Sequence, residues 1–349
     1  MTSQQTQRRS WLITGGAGFI GSHLAEALVL RDQHVVVIDN LSTGSLLNIQ
    51  HLTGFPNFRF IRASITDGID LSQFASQADV IVHLAAAVGV KLIVEHPVHT
   101  VETNINGSER VLKAALPYGC PVLIASTSEV YGKASKIPFS ENDDVVLGAT
   151  TMSRWAYAAS KMVDEFLGFA YHREYGLPVT VMRLFNTVGP RQTGRYGMVI
   201  PRFVEQALRG DAITVYGDGS QSRCFSDVRD VVEAIIGLAV QPEAAGQVYN
   251  IGSTEEVTIR ELAEKIRALT LSTSQIVNIS YSKAYAPGFE DMQRRVPSIE
   301  RIRALIGWQP KRSLDCILKT ILNHQQQSES QIEQPMRSAF LVGAGPVGD

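Results

Sequence analysis

The sequence predicts an α/β protein: a doubly wound parallel sheet followed by a smaller α/β C-terminal lobe that covers one end of it. Three observations predict this. Short β-branched runs, apolar on both faces, alternate with helix-period stretches from residue 11 to about 185, the pattern of a parallel sheet with helices on both sides. A glycine-rich loop follows the first run. After residue 185 the elements shorten, and Gly and Pro punctuate more often, in GPRQTGRYG, VYGDGSQ and YAPGFED. A chain of 349 residues has room for two domains of ~150 residues, and its 44% hydrophobic content can fill a core.

Strands are expected at 11–14, 34–39, 58–62, 80–84, 122–126 and 179–184. Helices are expected between them at 18–30, 98–119 and 154–175, with Pro97 at a helix start and Gly119 and Gly176 at helix ends. Later helices are expected at 199–209, 228–240, 258–270, 298–306 and 313–325; Thr258 and Glu261 form a capping-box pattern for the third. Residues 1–185 form the first domain, with 225–250 returning to it, and 186–325 form the second lobe. Gln325–Arg337 is polar and Gln-rich, so 326–349 is expected to be a flexible tail. Within it, AFLV followed by GAGPVG at 343–348 mimics a strand and glycine loop, with no helix after it to receive a phosphate.

Lys and Arg total 32 against 34 Asp and Glu. A net charge of -2 argues against a nucleic-acid footprint, which needs a basic excess. No apolar run approaches the ~18 residues of a membrane span. Cys120, Cys224 and Cys316 stand far apart and form no CxxC, so neither a metal site nor a disulfide framework is indicated. A reduced, cytoplasmic setting is expected. Arg8-Arg9 before Trp11-Leu12-Ile13 resembles an export signal, but the apolar stretch is too short.

The loop TGGAGFIGSH runs from Thr14 to His23. Gly15, Gly18 and Gly21 allow a tight turn, close approach to a pyrophosphate and close helix packing, as in a Rossmann-type dinucleotide domain. Phe19 and Ile20 open the helix whose N–H groups would face the phosphates. Asp39 ends the second strand and suits the ribose hydroxyls, while its charge would repel a 2′-phosphate, so NAD is favoured over NADP. A ligand-free turn and a strand-end cap are the plainer readings of these two features. Tyr157 and Lys161 are four residues apart on one helical face. A nearby ammonium favours the phenolate, which can then act as a base.

TGGAGFIGSHL, HLAA at 83–86, STSEVYG at 126–132, YAASK at 157–161, RLFNTVGPR at 183–191 and RALIGWQP resemble the extended short-chain dehydrogenase/reductase family over residues 10–325. Its members act on nucleotide sugars. The resemblance implies that Thr127 joins Tyr157 and Lys161 at the hydroxyl being oxidised. It also implies that Asn186 and Arg223 hold the pyrophosphate, and that Asn40 and Leu84 line the NAD site. Where the family often has an Asp for the adenine, this chain has Ser64; Asp67 or backbone groups would serve instead. Family members commonly form homodimers through the helices at 98–119 and 154–175, and Phe166–Tyr171 is apolar around much of its helix.

Within the family, the 4-keto sugar formed first can be epimerised, dehydrated or decarboxylated. Ser128 stands where dehydratases usually carry an acid, which disfavours dehydration. Glu129 suits proton management at carbon 5. Arg154 and Arg295, the latter beside Arg294, match arginines of the substrate pocket in UDP-glucuronate decarboxylases, where a guanidinium can fork onto the sugar carboxylate. The resemblance therefore favours decarboxylation of a UDP-hexuronate to a UDP-pentose or UDP-4-keto-pentose, with UDP-sugar 4-epimerisation as the rival. A catalytically idle NAD-sensing protein is a third reading, opposed by the intact Thr127, Tyr157 and Lys161. No His/Asp/Glu spacing suggests a metal. His23 and His83, like Trp11, Trp155 and Trp308, are expected to pack.

Overall fold

Residues 8–89, 95–194, 198–284 and 292–341 are described by the computed structural model. The strands are β1 (Ser10–Thr14), β2 (His34–Asp39), β3 (Phe58–Arg62), β4 (Val80–His83), β5 (Val122–Thr127) and β6 (Val179–Leu184). After them come β7 (Thr187–Val188), β8 (Ile213–Tyr216), β9 (Ser222–Cys224), β10 (Ser226–Asp227), β11 (Gln247–Ile251), β12 (Glu256–Thr258) and β13 (Ile276–Ile279). The helices begin with α1 (Phe19–Val29), α2 (Ser72–Ala75), α3 (Pro97–Ala115), α4 (Trp155–Tyr175) and α5 (Val199–Arg209). They continue with α6 (Val228–Ala239), α7 (Ile259–Leu269), α8 (Tyr281–Ala284), α9 (Glu300–Ile306) and α10 (Leu314–Leu341).

Seven strands form one parallel sheet in the order β11-β6-β5-β4-β1-β2-β3. Strand order reverses between β1 and β4, and in such sheets ligands bind in the crevice at the strands' carboxyl ends beside that point. The two ends are tied together there: Thr14 Oγ1 lies 2.7 Å from His83 Nδ1. On one face, Leu24 and Leu28 of α1 meet Val231, Ile235 and Leu238 of α6 over Ile13 and Val37. On the other, Val111 and Leu112 of α3 pack over Leu12, Ile81 and Ile124. A separate core joins Phe203 and Val204 of α5, Leu262 and Ile266 of α7, and Leu318 of α10. Each such side chain contributes ~1.5–3 kcal/mol on burial.

Outside the main sheet, the lobe beyond residue 185 contains six short strands among the described residues that helical periodicity does not reveal, because two to four residues are too few to show alternation. The last helix continues past the end expected at 325, to Leu341; Gln, Glu, Met and Arg are good helix formers even without an apolar stripe. The GAGPVG motif at 343–348 lies outside the described residues. No helix among the described residues is long and apolar enough to cross a membrane.

Candidate active site

The glycine loop carries β1 into α1. Gly15 has φ +74, and a Cβ there would sit 2.7 Å from the Ala85 backbone nitrogen, so only glycine fits. A Cβ on Gly21 would run into the Gly15 carbonyl oxygen. Gly18 is the N-cap of α1 and offers no capping side chain. The first turn, with Phe19 and Ile20, thus keeps its N–H groups for another acceptor. Asp39 is buried; its Oδ2 accepts from Ala17 N at 2.9 Å and its Oδ1 from Leu41 N at 2.7 Å. It therefore caps the strand end and braces the loop, while each oxygen keeps a second lone pair for a ribose hydroxyl. Burial raises its pKa. This cradle fits a dinucleotide with an unphosphorylated ribose. Asn40 is exposed and accepts from Ser42 N at 3.0 Å, and Leu84 N donates to Thr14 O at 3.0 Å. Ser64 is engaged in its own turn, 2.8 Å from Thr66 Oγ1, and Asp67 is exposed close by.

Thr127 ends β5, and the next residues turn tightly through Glu129. Thr127 Oγ1 accepts from Glu129 N at 3.2 Å and also hydrogen-bonds the Tyr157 side chain. Tyr157 and Lys161 lie on α4, both buried. Helix α4 is pinned to the sheet by a buried trio: Arg183 of β6 donates to Glu165 Oε2 at 2.7 Å, and Ser126 of β5 donates to Glu165 Oε1. Burial pushes the Tyr157 phenol well up, and the charges of Glu129 and Asp164 push the same way.

Two guanidiniums close on Glu129. Arg154, just before α4, pairs with its Oε2; Arg295, from the segment before α9, lies 3.4 Å from its Oε1. Both arginines are buried. Burial alone would raise the Glu129 pKa, but Arg154 and Arg295 outweigh it and hold the carboxyl at about 2. In this arrangement Glu129 is thus ionised and accepts rather than donates a proton. Arg294 turns away to form a bidentate pair with Glu256, both contacts at 2.8 Å. Ser128 is buried beside Glu129. Asn186 donates to Cys224 O at 3.2 Å, and Arg223, on β9, donates to Ser222 O at 2.7 Å while its charge acts on Glu129.

His83 donates or accepts at Thr14 and at Ser108 Oγ, 3.1 Å away, and burial holds it neutral, with a pKa of about 3. His23 reaches Pro190 O at 2.9 Å. Trp11, Trp155 and Trp308 are buried, and Trp308 Nε1 donates to Asp230 O at 2.8 Å. Sequence reasoning missed Asp164, whose Oδ2 accepts from Lys161 Nζ at 2.6 Å. Its signal was an acid three residues after the lysine on the same helix; periodicity could not show that this face is sealed from water.

The family model described as GDP-mannose 4,6 dehydratase matches residues 12–321. UDP-N-acetyl-alpha-D-glucosaminuronate decarboxylase of Bacillus cytotoxicus is 45% identical over 313 residues, 89% of this chain and 96% of that protein. UDP-glucuronic acid decarboxylase 1 of Danio rerio is 36% identical, over 88% of this chain and 70% of that one. Among solved structures, UDP-glucuronic acid 4-epimerase from Bacillus cereus, in complex with UDP-glucuronic acid and NAD, superposes with a TM-score of 0.82 at 28% identity. That match covers 91% of this chain and 99% of the epimerase.

Proposed function

The chain belongs to the GDP-mannose 4,6-dehydratase family of extended short-chain dehydrogenases/reductases, and from that premise we propose that it is an NAD-dependent decarboxylase of a UDP-hexuronate. The observation that carries this reading is the convergence of Arg154 and Arg295 on the partly buried carboxylate of Glu129 beside Thr127 and Tyr157. Two sealed guanidiniums form a receptor for a carboxylate, and a hexuronate brings one.

NAD would be held by the loop at Gly15, Gly18 and Gly21, by Asp39 and by Lys161, and when bound it supplies the oxidant for carbon 4. Thr127 hydrogen-bonds the 4-hydroxyl and Tyr157 takes its proton. Lys161 provides the positive charge that favours the phenolate. The product is a β-keto acid, so the bond from carbon 5 to the carboxylate breaks, carbon dioxide leaves, and the electron pair moves onto the 4-oxygen facing Thr127 and Tyr157.

The sugar carboxylate competes with Glu129 for Arg154 and Arg295. Once the arginines turn to the sugar, Glu129 remains partly buried without its counter-charges. Its pKa rises, and it becomes able to carry a proton to carbon 5. Asn186 and Arg223 suit the pyrophosphate by their donor chemistry. A two-fold pairing through α3 and α4 suits the exposure of Phe166, 66%, on α4; light scattering reads it as a dimer mass.

Incubation with NAD and either UDP-glucuronate or UDP-N-acetylglucosaminuronate, followed by mass spectrometry, tests the reading. Loss of the mass of carbon dioxide from either sugar supports it. A product of unchanged mass, a 4-epimer, overturns it in favour of epimerisation, the activity named for the Bacillus cereus neighbour.

A further inference from the structure

We propose that Asp164 is a positioning residue for Lys161: it holds the ammonium against its own stretch of α4 and offsets its charge, and so sets the pH at which Tyr157 gives up its proton.

The geometry is specific. Asp164 and Lys161 are 0% and 2% exposed, and Asp164 Oδ2 lies 2.6 Å from Lys161 Nζ. Asp164 Oδ1 is also buried, and Ser108 of α3 hydrogen-bonds the carboxyl. A buried ion pair is a poor stabilising device, since desolvation of both charges offsets most of the attraction. A small apolar residue would pack this helix face more cheaply. What the carboxylate does supply is a fixed negative charge one contact away from the ammonium that is meant to favour the Tyr157 phenolate.

The remaining charges around the pair are accounted for. His83 of β4 is held neutral by burial. Glu165, the next residue of α4, is committed to Arg183 of β6. Glu129 and Arg154, which also act on Tyr157, are paired with each other. Ser108 of α3 flanks Asp164 and carries no charge. Asp164 is thus the anion that faces Lys161 directly, and its charge works in the same direction as burial, against ionisation of Tyr157. The consequence is a base kept protonated until a further positive charge arrives. The oxidised nicotinamide proposed for this pocket is one.

This rests on the reading of Tyr157 as the base, so the test has an arm that needs no turnover. In protein loaded with NAD, the ultraviolet absorbance change of tyrosinate is followed against pH, with Tyr157→Phe as the blank that removes the other tyrosines. In Asp164→Asn the Tyr157 midpoint should fall by about one pH unit or more, the size expected for removing a unit charge several ångströms away at an effective dielectric of ~20. Asp164→Glu, which keeps the charge, should stay near the parent. The acid limb of kcat with UDP-glucuronate or UDP-N-acetylglucosaminuronate should move down with the absorbance midpoint. A midpoint that stays put or moves upward in Asp164→Asn overturns the proposal, even if kcat falls, because a merely structural role lowers kcat without moving the limb. If Asp164→Asn is insoluble, Asp164→Ser is read in the same way. Failure of every form to turn over either sugar overturns the substrate reading and leaves the absorbance arm to decide Asp164.

Discussion

The glycine loop after β1 is built from backbone, whereas the cluster around Glu129 is built from charged side chains. In the loop, specificity comes from what is missing: no Cβ is tolerated at Gly15 or Gly21, and α1 opens without a capping side chain. Its one charged member, Asp39, lies within the same stretch of chain. Around Glu129, by contrast, the guanidiniums come from residues 154, 223 and 295, on three different segments, and the charges meet only once the chain has folded. Backbone cradles are rigid and tolerate little change. Charge clusters can be re-partnered, and a substrate that brings its own carboxylate can do that.

The largest effect is expected from Tyr157→Phe, which removes the group that both halves serve. Product formation from a UDP-hexuronate should fall by about 10⁴-fold, the upper end for a positioned proton acceptor. NAD binding, followed by fluorescence quenching, should survive, because the glycine loop and Asp39 are untouched. A loss below tenfold would remove Tyr157 from the chemistry.

Next comes the scaffold that holds the two halves in register. Glu165→Ala would leave Arg183 buried without its partner, a loss of ~3–5 kcal/mol. Urea unfolding should show that drop. A change below 1 kcal/mol would mean that α4 is held by its apolar contacts alone.

The charge cluster also predicts acid lability. Glu129 titrates at about 2 when folded, against an ordinary 4.5. A depressed acid contributes stability that is complete above pH 4.5 and is lost as pH falls toward 2, here about 3 kcal/mol at 1.36 kcal/mol per pKa unit. His83, held at about 3 by burial, makes the fold lose stability from pH 6.5 downward. Urea midpoints should therefore fall between pH 6.5 and 3, and Glu129→Gln should flatten the part below 4.5. An unaltered slope in that variant would mean that its arginines find other anions.

The smallest effect is expected on the backbone-built side. Asp39→Asn should bring NADP affinity toward that for NAD, a change on the order of 10- to 100-fold, by removing a like charge from the 2′-phosphate. Equal affinity of the unaltered protein for both dinucleotides would contradict the assignment of Asp39 to the ribose.

The sequence alone reveals the seven-strand sheet's first six members, because buried parallel strands are continuous apolar runs and alternate with amphipathic helices. It also determined the glycine loop and the spacing of Tyr157 and Lys161, since contiguous spacing and helical period are properties of the chain alone. Folding settles the relations between residues far apart in the chain. It set where the returning segment sits, with β11 at the edge of the sheet beside β6 and α6 against α1. It turned Arg295 toward Glu129 and its neighbour Arg294 out to Glu256. It also made Glu129 an ionised acceptor and sealed Asp164 against Lys161. Protonation and pairing depend on burial and on partners from other segments, and a charged residue reads the same in sequence whether water or two arginines surround it.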